Sequence, residues 1–218
     1  KLRFCSLPDL LREFFIRGKR CLVVAGTHGK TTTTSLLTWV FEHNGRNPSY
    51  LIGGIPTNLG QGARFTDSEW FIIEGDEYDT AFFDKRAKFV HYRPRTAILN
   101  NLEHDHADIY PDVASIQKQF HLLLRTVPGN GRLLVNADEP YLDEVLRMGC
   151  WTPVERFTST DKAGAEWRIA ATGGDESFGS FEIWRDERCL GRVDWDLLGR
   201  HNAANALAAL ALCHSIDL

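Results

Sequence analysis

Apolar residues between positions 20 and 135 follow two rhythms that alternate along the chain. Cys21 to Ala25, Tyr50 to Ile52, Trp70 to Ile73, Thr96 to Leu99 and Leu133 to Val135 are short continuous runs, the signature of strands buried on both faces. Between them the apolar positions open to helical spacing. Leu36, Leu37, Val40 and Phe41 share one helix face until Asn44-Gly45, and Val113, Ile116, Phe120, Leu123 and Val127 share another until Pro128-Gly129. Before the first strand, Leu7, Leu10, Leu11, Phe14 and Phe15 predict a helix over Leu7 to Arg17 that Gly18 ends. Strands alternating with helices predict an α/β fold with an open, mostly parallel sheet flanked by helices.

The rhythm changes after about Cys150. Trp167 to Ala171, Phe178 to Trp184 and Cys189 to Trp195 are short strand-like runs, and Arg185-Asp186-Glu187-Arg188 reads as a hairpin loop. A small antiparallel β annex is therefore expected over 150–198. His201 to His214, rich in Ala and Leu, predicts a closing helix entered through Gly199.

With 218 residues, 43% of them hydrophobic, the chain can bury a real core. A net charge of −4 gives no field that would hold a polyanion, which argues against nucleic acid as a partner. The five cysteines, Cys5, Cys21, Cys150, Cys189 and Cys213, are odd in number and form no C-x-x-C pair, which argues against a disulfide framework and for a reducing, cytoplasmic setting. No apolar run approaches the roughly 20 residues of a membrane span, so no membrane association is expected. The sequence starts at Lys1 without Met and stops after a helical run, so both ends are expected to continue in a longer protein.

The junction between the first strand and the following helix carries the first chemistry. Gly26-Thr27-His28-Gly29-Lys30-Thr31-Thr32 places glycines, a lysine and hydroxyls where backbone N–H groups and the positive helix end face an anion. The longer G-x-x-x-x-G-K-[ST] pattern is not met, because Val24 stands five residues before Gly29; the match is to a shorter G-x-x-G-K-T-T. In such a P-loop-type sheet Lys30 would neutralise phosphate oxygens and the Thr31 hydroxyl would ligate Mg²⁺. Otherwise the segment is a glycine turn beside a solvated lysine.

Two further polar clusters follow strands. Glu74-Gly75-Asp76-Glu77-Tyr78-Asp79 ends the run from Trp70, and ligands gather at the carboxyl ends of parallel strands, so Glu74 is the first candidate for a metal beside the phosphates. His104, His106 and Asp108 fit H-x-H-x-D, which opens a second reading as a binuclear zinc hydrolase. That reading lacks a histidine at position 109, which is Ile109, and leaves the lysine loop unused.

Together these segments resemble the Mur ligase family of ATP-dependent peptidoglycan-precursor ligases, whose phosphate loop reads G-T-x-G-K-[ST]. Asp76-Glu77-Tyr78-Asp79, Ala81-Phe82-Phe83-Asp84-Lys85-Arg86, Lys88-Phe89-Val90-His91-Tyr92 and Asn100-Asn101-Leu102-Glu103 look like the branch that acts on a tripeptide rather than the one that adds L-alanine. The resemblance implies ATP and Mg²⁺ as cofactors, with UDP-N-acetylmuramate and the tripeptide L-alanyl-γ-D-glutamyl-meso-diaminopimelate as substrates. It implies phosphate binding by Lys30 and metal ligation by Thr31, Glu74 and His106. His201, Asn202 and Asn205, in Gly199-Arg200-His201-Asn202-Ala203-Ala204-Asn205, become adenine-contacting candidates, although read alone that segment is a polar helix start. Gly53, Gly54 and Asn58 resemble the glycine-rich loop near the muramoyl sugar.

Two departures stand out. Gly75 occupies a place where alanine is expected and should loosen the strand end. Phe120 occupies the place of a lysine that several relatives carbamylate, with Lys118 on another phase, so no carbamate is expected. Residues 1–18 would be a linker helix from a missing N-terminal domain and 19–218 a central ATP-binding domain, with a C-terminal domain absent; alone, such a piece should turn over little. An L-alanine ligase, a folylpolyglutamate synthetase and a nucleotide-binding module without chemistry are the alternatives.

Overall fold

A computed structural model describes residues 4–104, 109–160, 162–172 and 177–218. Helix α1 (Leu7–Leu11) begins where the Asp9 N–H donates to Ser6 Oγ at 3.2 Å, with Pro8 in the first turn, and continues as a π-helical turn over Arg12–Ile16. Strand β1 (Arg20–Ala25) leads into α2 (Lys30–His43), followed by β2 (Ser49–Leu51), β3 (Ala63–Arg64) and β4 (Trp70–Gly75). Next come β5 (Asp79–Ala81), β6 (Asp84–Ala87), α3 (Phe89–Tyr92), β7 (Thr96–Leu99), α4 (Val113–Leu124), β8 (Arg132–Asn136) and α5 (Pro140–Arg147). The chain finishes with β9 (Val154–Thr158), β10 (Trp167–Ala171), β11 (Ser180–Arg185), β12 (Arg188–Asp194) and α6 (Arg200–Ser215).

Apart from the β5–β6 hairpin, these strands form one sheet in the order β12-β11-β10-β9-β8-β7-β1-β4-β2-β3. Every pairing from β2 to β10 is parallel, while β3 at one edge and β11 and β12 at the other run antiparallel. Alternation along each strand feeds two cores. Leu22, Val24, Ile72, Ile98 and Leu134 face the layer that holds Leu37 and Phe41 of α2 and Leu207 of α6. Val23, Ala25, Ile73, Leu99 and Val135 face Phe89 of α3, Phe120 of α4 and Leu142 of α5. Full burial of one such aliphatic side chain contributes on the order of 1.5–3 kcal/mol, so the unbroken apolar runs account for this two-sided sheet. No described helix is long and apolar enough to cross a membrane.

The antiparallel strands expected after Cys150 are present, and they extend the main sheet. The segment that precedes them in the chain, β9, pairs in parallel with both β8 and β10. Its Val-Glu-Arg-Phe-Thr pattern hides a strand because the charges are used sideways: Glu155 accepts from Trp167 Nε1 at 2.9 Å and Arg156 pairs with Asp143 at 2.6 Å. The β11–β12 turn is Asp186-Glu187, with Asp186 at φ 50°, in the expected hairpin position.

The expectation that Gly75 loosens its strand end does not hold. Gly75 is the last residue of β4, paired with Ala25, and a Cβ there would come 2.8 Å from Val23 Cγ1 and 3.0 Å from Val24 O. Its missing side chain lets β4 and β1 stay in contact to their ends. On α4, Phe120 lies fully in the core and Lys118 is exposed.

Candidate active site

Parallel strands β1, β4, β7 and β8 end on one side of the sheet, and the lysine loop and the acidic cluster that starts at Glu74 lie there. Beyond Ala25 the chain turns through Gly26 to Gly29 and enters α2 at Lys30. Gly29, the cap, has φ 74°, and a Cβ on it would stand 2.7 Å from Asn205 Oδ1, so the turn requires glycine for both conformation and space. The loop is fixed from outside. His28 N donates to Asn101 Oδ1 at 2.7 Å, Thr27 N to Asn101 O at 3.2 Å, and Glu103 N to Thr27 Oγ1 at 2.9 Å. Asn100 Nδ2 donates to Asn205 Oδ1 at 2.8 Å, which joins β7 to α6 beneath the turn.

Lys30 Nζ donates to Gly26 O at 2.8 Å and Thr27 O at 3.0 Å, and it pairs with the buried Glu77 carboxylate at 2.9 Å. Thr31 Oγ1 lies 3.0 and 3.1 Å from the two Glu74 carboxylate oxygens, and Gly53 N donates to Glu74 Oε2 at 2.8 Å. A carboxylate and a hydroxyl so close, both hard oxygen donors beside a lysine loop, suit Mg²⁺ rather than a soft metal.

Two cavities open on either side of this turn. One, of about 570 Å³, is lined by His28, Asn101, Asp138, Thr160, His201 and Asn205, among others. The other, of about 440 Å³, is lined by Lys30, Gly53, Glu74 and Lys88 together with apolar Leu11 and Leu51. Helix α1 forms a wall of the second cavity. It is held there by buried His91, whose ring nitrogens lie 3.1 Å from Asp9 Oδ1 and 3.1 Å from Asp84 Oδ2.

In the first cavity, Asp138 accepts from Ser159 N at 2.8 Å, Ser159 Oγ at 3.1 Å and Thr160 Oγ1 at 2.7 Å, and from Thr158. Burial pushes its carboxyl upward, but these hydrogen bonds outweigh burial and hold it below the ordinary aspartate value. Its neighbour Glu139 is raised, first by burial and then by the charge of Glu103.

The structure brings together Gly26, Thr27, His28, Gly29, Lys30, Thr31, Gly53, Glu74 and Asn205, with His201 at the cavity wall. Thr32 occupies the first turn of α2, and Gly54 packs near Thr31, where a Cβ would lie 3.4 Å from its methyl. Asn202 does not line the cavity: its side chain donates to Leu198 O at 2.8 Å, acting at the helix start. Asn58 is exposed in the turn at 57–59, and among the described residues no hydrogen bond ties it to Glu74 or Thr31. Asp105, His106 and Asp108 lie outside the described residues, so the metal role of His106 and the H-x-H-x-D reading do too. His104 binds the Tyr110 carbonyl through Nε2 at 3.1 Å. Sequence reasoning missed Glu77 as the lysine partner, the scaffolding by Asn100 and Asn101, and the Asp138 cluster. Polar residues directly after strands β7 and β8 were the available signal for the last two.

Residues 24–213 match the Mur ligase middle domain, and the chain belongs to that family. It is 47% identical over 213 residues to the UDP-N-acetylmuramate–L-alanyl-γ-D-glutamyl-meso-2,6-diaminoheptandioate ligase of Haemophilus influenzae, covering 98% of this chain and 46% of that protein. The Escherichia coli protein of the same name is 45% identical, with 99% and 46% covered. A crystal structure of the corresponding ligase from Neisseria meningitides superposes with a TM-score of 0.91 at 50% identity, covering all of this chain and 68% of that one. The chain spans about half the length of the curated relatives it matches.

Proposed function

We propose that this chain is the ATP-binding centre of a cytoplasmic ligase that joins the lactyl carboxylate of UDP-N-acetylmuramate to the amino group of L-alanyl-γ-D-glutamyl-meso-diaminopimelate. The observation that carries the reading is the convergence of Lys30, Thr31 and Glu74 at one glycine turn between two cavities. The names of the relatives support the choice of substrates. On this reading residues 19–218 are the central domain, and 1–18 link it to a preceding domain.

ATP would lie with its base in the cavity walled by His201 and Asn205 and its phosphates over the Gly26–Thr32 turn. Thr31, Glu74 and His106 would hold Mg²⁺, which when bound supplies positive charge against the phosphate oxygens. Lys30 orients the β- and γ-phosphates and offsets their charge, so that a second anion can approach. A carboxylate oxygen of the muramoyl substrate then bonds to the γ-phosphorus, the bond to ADP breaks, and an acyl phosphate forms. The tripeptide amine attacks the acyl carbon, the carbon–oxygen bond to phosphate breaks, and the nitrogen loses a proton. Walls such as Leu11 and Leu51 limit water at the second cavity, which protects the acyl phosphate from hydrolysis.

The test is ADP release by the full-length protein given ATP, Mg²⁺ and UDP-N-acetylmuramate, with the tripeptide compared against free L-alanine. Turnover dependent on the tripeptide is expected. A preference for L-alanine, or release that requires a folate, would replace the substrate assignment, and nucleotide binding without any ADP would remove the ligase chemistry.

A further inference from the structure

Lys30 is fully coordinated within its own protein. An ammonium carries three N–H donors, and here they face Gly26 O, Thr27 O and the Glu77 carboxylate, which lies 3.0 Å away at Oε1 and 2.9 Å at Oε2. In this arrangement no donor is left for a phosphate. The two carbonyl contacts belong to the turn itself and hold the side chain along it. The third contact is different in kind, since a carboxylate oxygen and a phosphate oxygen are both anionic acceptors and ask the same thing of an ammonium.

Glu77 is also held in place. It is only 2% exposed, its backbone carbonyl accepts from the Tyr110 hydroxyl, and it follows directly on the acidic end of β4. A carboxylate so confined stays within reach of Lys30, so another anion must displace it to take the third donor.

We propose that Glu77 competes with the nucleotide phosphate for Lys30: nucleotide binding breaks the Lys30–Glu77 pair, and nucleotide release restores it. This rests on the nucleotide reading of the glycine turn. Glu77 is thus a positioning residue that acts through Lys30. Apparent affinity is lowered by the fraction of molecules in which the lysine is engaged, and affinity is set below what the turn alone would give.

The experiment is titration of ADP, at fixed Mg²⁺, into the full-length protein as wild type, Glu77→Gln and Glu77→Asp, with melting curves to confirm folding. Glu77→Gln keeps the shape and removes the charge; it should tighten ADP binding on the order of tenfold. Glu77→Asp keeps the charge but shortens its reach, and should fall between the other two. Affinity in Glu77→Gln equal to or weaker than wild type overturns the proposal. So does an Asp variant that matches wild type beside a tighter Gln variant, because distant charge rather than competition for the lysine would then be responsible. If the Gln variant fails to fold, the Asp variant decides alone. Wild type that binds no ADP rejects the nucleotide reading and this proposal together, whereas unchanged affinity in a folded Gln variant rejects only the competition.

Discussion

The turns above β1, β7 and β8 and the antiparallel strands β10 to β12 belong to one sheet, yet different bonds hold them. Above the parallel strands, side chains reach between segments far apart in sequence: Asn101 to His28, Asn100 to Asn205, Asp138 to Ser159. Along β11 and β12 the backbone ladder carries the structure, and the ion pair of Arg192 with Asp194 is local and half exposed. One region depends on a few side chains, each with a geometric task. The other depends on a pattern that many side chains would satisfy.

That contrast can be broken most sharply at the lysine turn. In the full-length protein, Lys30→Ala and Glu74→Ala should each lower the rate of substrate-dependent ADP release by on the order of 100- to 1000-fold, since each removes a preorganised charge from the reacting centre. Near-normal rates with intact folding would reject the assigned roles. A smaller effect, on stability, is expected at Asp138. Replacing it by alanine leaves the donors of Ser159 and Thr160 without their acceptor and should cost about 2 kcal/mol in denaturant unfolding at neutral pH. The pH dependence has a definite sign. Because the folded carboxyl sits below its unfolded value, its contribution is complete above the unfolded value and disappears as pH falls through the folded one. Unfolding curves of wild type and Asp138→Ala should therefore converge in acid. The least effect belongs to β12, where Arg192→Ala should shift stability by no more than about 0.5 kcal/mol. A larger loss there would erase the contrast.

The same contrast explains what could be read from the residues alone. Strands β1, β4, β7 and β8 are continuous apolar runs with no competing interpretation, and the glycine turn before Lys30 needs φ above zero and space, which only glycine gives. The expected helix ends near Gly18, Asn44 and Pro128 followed from local backbone rules. Less legible were elements whose signal is shared with their neighbours. Helix α5 is eight residues long, three of them charged, and only Pro140 at its start marks it. The β5–β6 hairpin is built from charged residues that neutralise one another, Lys85 with Asp79 and Arg86 with Asp84. Four carboxylates crowd the end of β4, and nothing in their order says that Glu77 rather than Asp76 turns inward to the lysine. Pairing of that kind is decided by packing, through burial of Glu77 beneath Tyr110.

Asn205 sits in the last helix of the chain, while the glycine it crowds lies just after the first strand. During synthesis the glycine bend therefore leaves the ribosome well before the helix that completes it. A chain stopped short of α6 would carry the whole G-x-x-G-K-T-T signature and still lack the floor that keeps it open. An intact bend would thus report that this domain has folded as far as α6.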